Sequence, residues 1–179
     1  MSQRRSGFDR VEGEKYDTPA WVTQLIVPYL KQFKVRAVWE PCAGNGKMVR
    51  ALKKAGFETY GTTRDFLKQD RFPARSVNTI CTNPPYGHGG KLAEAIIEHA
   101  LHWPDADIVA MLLRVDFDSG STRTRFFRDN RRWAMKIVLL DRIEWFPSET
   151  GAGPSTNHAW YIWSRGYNAH AEIRYAGIG

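Results

Sequence analysis

"VRAVWEPCAGNGKMVRALKKAGFETYGT", residues 35–62, sets an apolar run, a glycine-bearing loop, a helical pattern and a second apolar run in succession. "VRAVW" (35–39) reads as a buried strand, "GKMVRALKKAG" (46–56) as a helix closed by Gly56, and "FETYGT" (57–62) as a second strand. A helix carrying the chain between two such runs is the crossover that parallel sheets need. Within the loop "EPCAGNG", Gly44 and Gly46 let backbone approach a ligand, and the helix start offers unsatisfied N–H groups. The loop is not a phosphate loop, since its Gly-Lys pair lacks both the preceding glycine spacing and a following Ser or Thr. Nor does it carry the three glycines of the dinucleotide fingerprint. Glu40 would repel a phosphate, so it points to a ligand with a cationic or hydroxyl-bearing part. Taken alone, the loop also reads as a tight strand-to-helix turn.

Outward from this unit, "YDTPAWVTQLIVPYLKQF" (16–33) predicts a helix, with Thr18 as N-cap, Pro19 at the first helical position, and Trp21, Leu25, Ile26, Tyr29 and Phe33 on one apolar face. Pro28 predicts a kink or early stop. "VNTICT" (77–82) is the next strand. "KLAEAIIEHALHW" (91–103) is a helix with Leu92, Ala95, Ile96, His99 and Ala100 on one side. Strands follow at "DIVAMLL" (107–113), "MKIVLL" (135–140) and "HAWYIW" (158–163), with the basic segment "STRTRFFRDNRRW" (121–133) predicted helical between the first two. Apolar strands alternating with helices indicate an α/β sheet, mainly parallel and covered on both faces. Such sheets bind ligands beyond the carboxyl ends of their strands, where strand order reverses.

The chain has 179 residues, of which 42% are hydrophobic and 25% charged, which fits one soluble domain preceded by a flexible arm over residues 1–15. No apolar stretch approaches the ~20 residues of a membrane span, and no secretory signal opens the chain. Its two cysteines, Cys42 and Cys81, form no spaced framework and suggest a reducing, cytoplasmic setting. His99 and His102 lack further ligands nearby, so no metal is expected. A net charge of +7 favours a polyanionic partner, nucleic acid first. Residues 114–136 hold seven Arg or Lys against three Asp. Arg123, Arg125, Arg128, Arg131 and Arg132 are the candidate phosphate contacts there.

"NPPY", Asn83-Pro84-Pro85-Tyr86, stands at the mouth of the 77–82 strand. Two prolines remove two donors and fix two φ angles, holding Asn83 extended and keeping the Pro84 carbonyl out of regular structure. An exocyclic amino group on a base, or an amide nitrogen, is a poor nucleophile because its lone pair is delocalised. Hydrogen bonds from that NH₂ to the Asn83 side-chain oxygen and the Pro84 carbonyl would stabilise the charge it gains during attack, with Tyr86 stacked on its plane. A rigid loop with a solvated aromatic is the simpler reading of the motif alone.

Together the two motifs resemble the S-adenosylmethionine-dependent amino-methyltransferases, most closely the DNA adenine N6-methyltransferases, over almost the whole chain. "YDTP" (16–19) is similar to that family's element before the cofactor loop, "EPCAGNG" to the loop, "DFL" (65–67) to its adenosine-contacting segment, "NPPY" to its catalytic motif, and "HAWYIW" to a late strand. The resemblance implies a Rossmann-like class I methyltransferase: a seven-stranded, mostly parallel sheet ending in a C-terminal antiparallel hairpin. It implies S-adenosylmethionine as cofactor and adenine N6 in DNA as acceptor. Tyr16, Asp17, Thr18 and Pro19 would lie near the methionine end. Glu40, Cys42, Gly44, Gly46 and Asn83 would line the cofactor, and Asp65 and Phe66 would contact its adenosine. The second strand ends in "YGTT", where the family usually places an acidic residue for ribose, which leaves Asp65 open to ribose or adenine.

Only 15 residues separate "DFL" from "NPPY", and one domain over 16–179 without a separate target-recognition domain is expected. The target adenine would be flipped out of its stack. Trp145 or Phe146, in the glycine-rich loop before the last strand, would close on it opposite Tyr86. An RNA adenine methyltransferase, a protein glutamine N5-methyltransferase and an inactive methyltransferase-like binding module remain alternatives.

Overall fold

The computed structural model describes residues 16–145 and 154–178. The expected arm and Phe146 lie outside them. Four regular elements follow from the decisive stretch and its approach: α1 (Ala20–Gln32), β1 (Ala37–Glu40), α2 (Lys47–Lys54) and β2 (Glu58–Gly61). β3 (Thr79–Thr82), α3 (Lys91–His102) and β4 (Ile108–Arg114) continue the alternation. β5 (Trp133–Leu139), β6 (His158–Ser164) and β7 (Glu172–Ala176) complete it.

The seven strands lie in the order β2-β1-β3-β4-β6-β5-β7. β1 pairs in parallel with β2 and β3, and β3 with β4. β6 runs antiparallel to both β4 and β5, giving the expected hairpin, and β7 pairs in parallel with β5. Strand order therefore reverses at β1, whose neighbours are β2 on one side and β3 on the other. A ligand cleft is expected beyond the carboxyl ends of β1 and β3.

Two apolar layers sandwich the sheet. α1 and α2 cover one face through Val22, Ile26, Leu30, Met48 and Leu52, packed on Val38, Cys81, Ala110, Leu112 and Trp160. α3 and the chain after β4 cover the other, through Ile96, Ile97, Phe117, Phe126 and Phe127 on Trp39, Ile80, Met111, Tyr161 and Trp163. Both faces being covered, β4 is buried at every position but its last and β6 at all seven. Each fully buried aliphatic side chain contributes ~1.5–3 kcal/mol, so this double burial anchors the strands that carry the site.

Five local expectations are corrected. Pro19, not Thr18, caps α1, with no side-chain hydrogen bond, and Thr18 is buried. α1 runs through Pro28, which is exposed, so the carbonyl the proline leaves without a donor sits on the solvent side. Its fully buried positions are Val22, Thr23, Ile26 and Leu30, with Trp21, Leu25, Tyr29 and Phe33 at the margins. α3 buries Ala93, Ile96, Ile97 and Ala100, leaving Leu92 exposed. Residues 121–133 form no α-helix: a 3₁₀ stretch, Ser121–Phe126, ends at Phe127, whose ψ of −89° departs from helical geometry. There Phe126 and Phe127 are both drawn into the core, and Thr122 and Thr124 give a helix little support. β7 is the strand that local patterning missed. At the sheet edge its Ile173 and Tyr175 stay exposed, so it lacks the apolar signature of the others.

Candidate active site

Glu40 ends β1 and is only 1% exposed. Its Oε1 accepts the Cys42 N–H at 3.0 Å and a short hydrogen bond from the Thr82 hydroxyl at the end of β3. One carboxyl thus joins the glycine loop to the residue before Asn83. Burial pushes its pKa up to about 8, against the smaller opposing effect of those two donors. Burial first, and the Glu40 charge second, push the Cys42 thiol up to about 12; Cys81 is raised for the same reasons. Both are free thiols held in the protonated form, which fits packing better than redox chemistry.

The loop is also tied to the end of β2. Ala43 N–H donates to the Thr62 carbonyl, Thr62 N–H to the Glu40 carbonyl, and the Trp39 indole to the Thr62 hydroxyl, each at 3.0 Å. Gly44 has φ +52°, and a Cβ there would lie 3.0 Å from the Asp17 carboxylate. Gly46 caps α2 in the left-handed region. Asp17 accepts the Asn45 N–H at 3.2 Å and makes a short bond with the Asn45 side-chain amide. The segment before α1 is thereby fastened to the loop.

One residue back, the Tyr16 carbonyl accepts from Asn83 Nδ2 at 3.2 Å. A carbonyl can only accept, so this contact assigns the amide orientation and leaves Asn83 Oδ1 as the free acceptor end. Pro84 is buried, Pro85 exposed, and residues 83–87 adopt no regular structure. Tyr86 is half-buried against the core. Its hydroxyl accepts from the Arg114 N–H at 2.6 Å, and its carbonyl accepts from Leu92 and Ala93 at the start of α3. Burial raises the phenol well above its ordinary pKa.

Asp65 Oδ1 accepts the Leu67 N–H at 3.1 Å, and its other oxygen lies 3.5 Å from Lys68 Nζ; the side chain is 51% exposed. Phe66 turns inward. Its ring stacks on Trp103 and meets Trp39 and His99 edge-on, so at this turn it is the backbone and Asp65 that face out.

The basic segment is largely committed to internal partners. Arg123 bonds Glu94 at 2.9 Å and the Phe117 carbonyl at 3.0 Å, with its guanidinium 4.0 Å from the Phe117 ring. Arg125 lies between Glu94 and Glu98, and Arg128 pairs with Asp129 at 2.8 Å. Arg132 donates to the Leu101 and Ala106 carbonyls at 2.8 and 2.6 Å, closing the end of α3. Trp145 is half-buried, edge-on to Tyr16 at 5.6 Å and to His158 at 5.4 Å. His158 is 5% exposed and faces Arg114 in register; burial lowers its pKa to about 4, so it stays neutral. Thr82, Asn45, His158 and the Tyr16 carbonyl escaped sequence reasoning, since nothing local distinguishes such residues from their neighbours.

No protein-family model and no curated protein matches the sequence. Solved structures do. A candidate RNA methyltransferase from Pyrococcus horikoshii superposes with TM-score 0.67 at 13% identity, covering 90% of this chain and 93% of that one. A candidate class I S-adenosylmethionine-dependent methyltransferase from Listeria monocytogenes gives 0.59 at 11% identity, covering 92% and 67%. The methyltransferase subunit of a type I restriction-modification system from Streptococcus thermophilus gives 0.58 at 10% identity, covering 89% of this chain and 47% of that one. The fold is that of the class I methyltransferases. In that fold the glycine loop after β1 and the Asn-Pro-Pro-Tyr corner after β3 share one sheet edge, joined through Glu40 and Thr82. Among the described residues no helix is long and apolar enough to cross a membrane.

Proposed function

We propose that this chain is an S-adenosylmethionine-dependent methyltransferase acting on the N6 amino group of adenine in DNA, with Asn83, Pro84, Pro85 and Tyr86 as its catalytic corner. The observation that carries the reading is the Asn83 amide, whose Nδ2 donates to the Tyr16 carbonyl at 3.2 Å and so leaves Oδ1 available as an acceptor.

The residues of the loop fit the cofactor. Gly44 sits so close to Asp17 that a side chain would crowd it, and Glu40 is a buried carboxyl suited to a cationic ligand. Tyr16 to Pro19, Glu40, Cys42, Gly44 and Gly46 would hold the methionine end, and Asp65 the adenosine. When bound, S-adenosylmethionine supplies an electrophilic methyl on a positively charged sulfur. Asn83 Oδ1 and the Pro84 carbonyl accept from the target NH₂, favour its pyramidal form and stabilise the charge the nitrogen acquires. Tyr86, fixed at both its hydroxyl and its carbonyl, offers a rigid face on which a flipped base stacks at low entropic cost. As the nitrogen takes the methyl, the bond to sulfur breaks to leave a neutral thioether, and the methylated nitrogen sheds its extra proton to water, so alignment and acceptors suffice and no strong base is required.

The Pyrococcus neighbour is named for RNA and the Streptococcus subunit belongs to a restriction-modification system, so both nucleic acids belong in the test. Purified protein with methyl-tritiated cofactor should label DNA at adenine N6. Labelling of RNA alone would move the acceptor to RNA, and labelling of glutamine in protein would move it to an amide. Cofactor binding without transfer to any of the three would make the chain a binding module.

A further inference from the structure

Of the basic residues expected to meet nucleic acid on 121–132, Arg123, Arg125 and Arg128 are paired with carboxylates and Arg132 donates to backbone carbonyls, whereas the cations of α2 meet no carboxylate among the described residues. Lys47, Arg50, Lys53 and Lys54 are all exposed, and among the described residues none of them makes an ion pair. Lys47, Arg50 and Lys54, at helical spacing on one face of α2, line a cleft of about 400 Å³ with Ala51 and, across from them, Pro19 and Ala20. Among the described residues no carboxylate lines it.

We infer that this cleft seats backbone phosphates of the nucleic-acid substrate on the flank of the active site, an inference that rests on the reading of the chain as a nucleic-acid methyltransferase. Lys47 and Lys54 stand seven residues apart, about 10 Å along the helix axis. A polyanion with a charge every ~3.4 Å per strand presents several charges over that span, so each cation can meet a phosphate of its own. The position suits a strand whose target base reaches Asn83. Tyr16, which touches Asn83, and Pro19, which walls the cleft, are three residues apart and so within ~11 Å. Arg50 serves both sites, donating to the Asn45 carbonyl at 2.8 Å while lining the cleft. Polyanion contact there would be felt by the loop.

The test is the salt dependence of binding to a fluorescent adenine-containing oligonucleotide, duplex and single-stranded, using the full chain. Lys47→Gln/Lys54→Gln should flatten the slope of log K against log salt by about 1.5–2 units, with S-adenosylmethionine affinity unchanged. Arg128→Gln, whose charge is taken by Asp129, should leave the slope at its wild-type value. An unchanged slope in the folded double variant overturns the inference while leaving the methyltransferase reading intact. Loss of cofactor affinity with an unchanged slope would assign the cleft to the cofactor instead. Wild-type protein that binds neither DNA nor RNA would overturn the nucleic-acid reading, and this inference with it.

Discussion

The carbonyl of Tyr16 fixes which end of the Asn83 amide faces it, because it can pair only with the NH₂ end. Asn83→Ala should therefore lower methyl transfer by ~10²–10³, the usual loss when one preorganised polar contact to a transition state is removed. Cofactor affinity should stay within several-fold. Single-turnover kinetics and calorimetry check the two halves separately, and near-normal turnover at saturating substrate would remove Asn83 from the mechanism. Glu40 makes a different prediction. Its pKa rises from 4.5 to about 8 on folding, so between those values the folded chain keeps a proton that the unfolded chain has released. Stability must then fall as pH rises through that window, by at most about 1.4 kcal/mol per pH unit. Glu40→Gln should remove that slope, so denaturant melts of wild type and variant at pH 5 to 8 should converge at the acid end. A cationic ligand would draw the pKa back down, and cofactor binding near pH 7 should release a proton, visible as a buffer-dependent binding enthalpy. Asn83 and Glu40 were legible because rare residues beside glycines and prolines stand out in sequence. Thr82 and the Tyr16 carbonyl were not, since a threonine in a strand and a backbone oxygen carry no local mark.

At the scale of elements, periodicity found every helix and strand that is buried on at least one face. It failed where burial is set by neighbours rather than by the segment's own pattern. The 121–133 segment shows how: its arginines read as a solvated or phosphate-binding helix, yet the chain turns so that Phe126 and Phe127 enter the core and the arginines bridge back to α3. Arg132 illustrates the consequence. Its guanidinium serves carbonyls at and beyond the end of α3, so Arg132→Ala should cost about 2–3 kcal/mol of stability in denaturant titration. A loss confined to nucleic-acid affinity would contradict this. Gly61, the last residue of β2, carries the second element-scale prediction. A Cβ there would lie 2.7 Å from Val49 of α2 and 3.1 Å from Ala43 of the glycine loop. Gly61→Ala should destabilise the fold by about 1–3 kcal/mol or push the loop aside. In the second case cofactor affinity falls while the melting temperature holds.

Across the whole molecule, the active edge is closed by pieces distant in sequence. Tyr16, Trp145 and His158 meet ring to ring above the ends of β4 and β6. Trp145→Ala should lose stability of ~1–3 kcal/mol, as expected for a half-buried aromatic. Because Tyr16 orients Asn83, it should also lower kcat more than it raises KM. A rise in KM alone, with kcat and stability intact, would place Trp145 on the substrate instead. What the sequence by itself determined is the α/β alternation and the two loops. Hydrophobic period, glycine and proline act over a few residues, and their physics is local. Only the tertiary structure decided which cations remain free, that the Phe66 ring of "DFL" turns inward, that β7 pairs with β5, and that one carboxyl ties the two motifs together. Each of those depends on the distances between groups far apart in sequence, and charge pairing, burial and edge pairing are set by such distances.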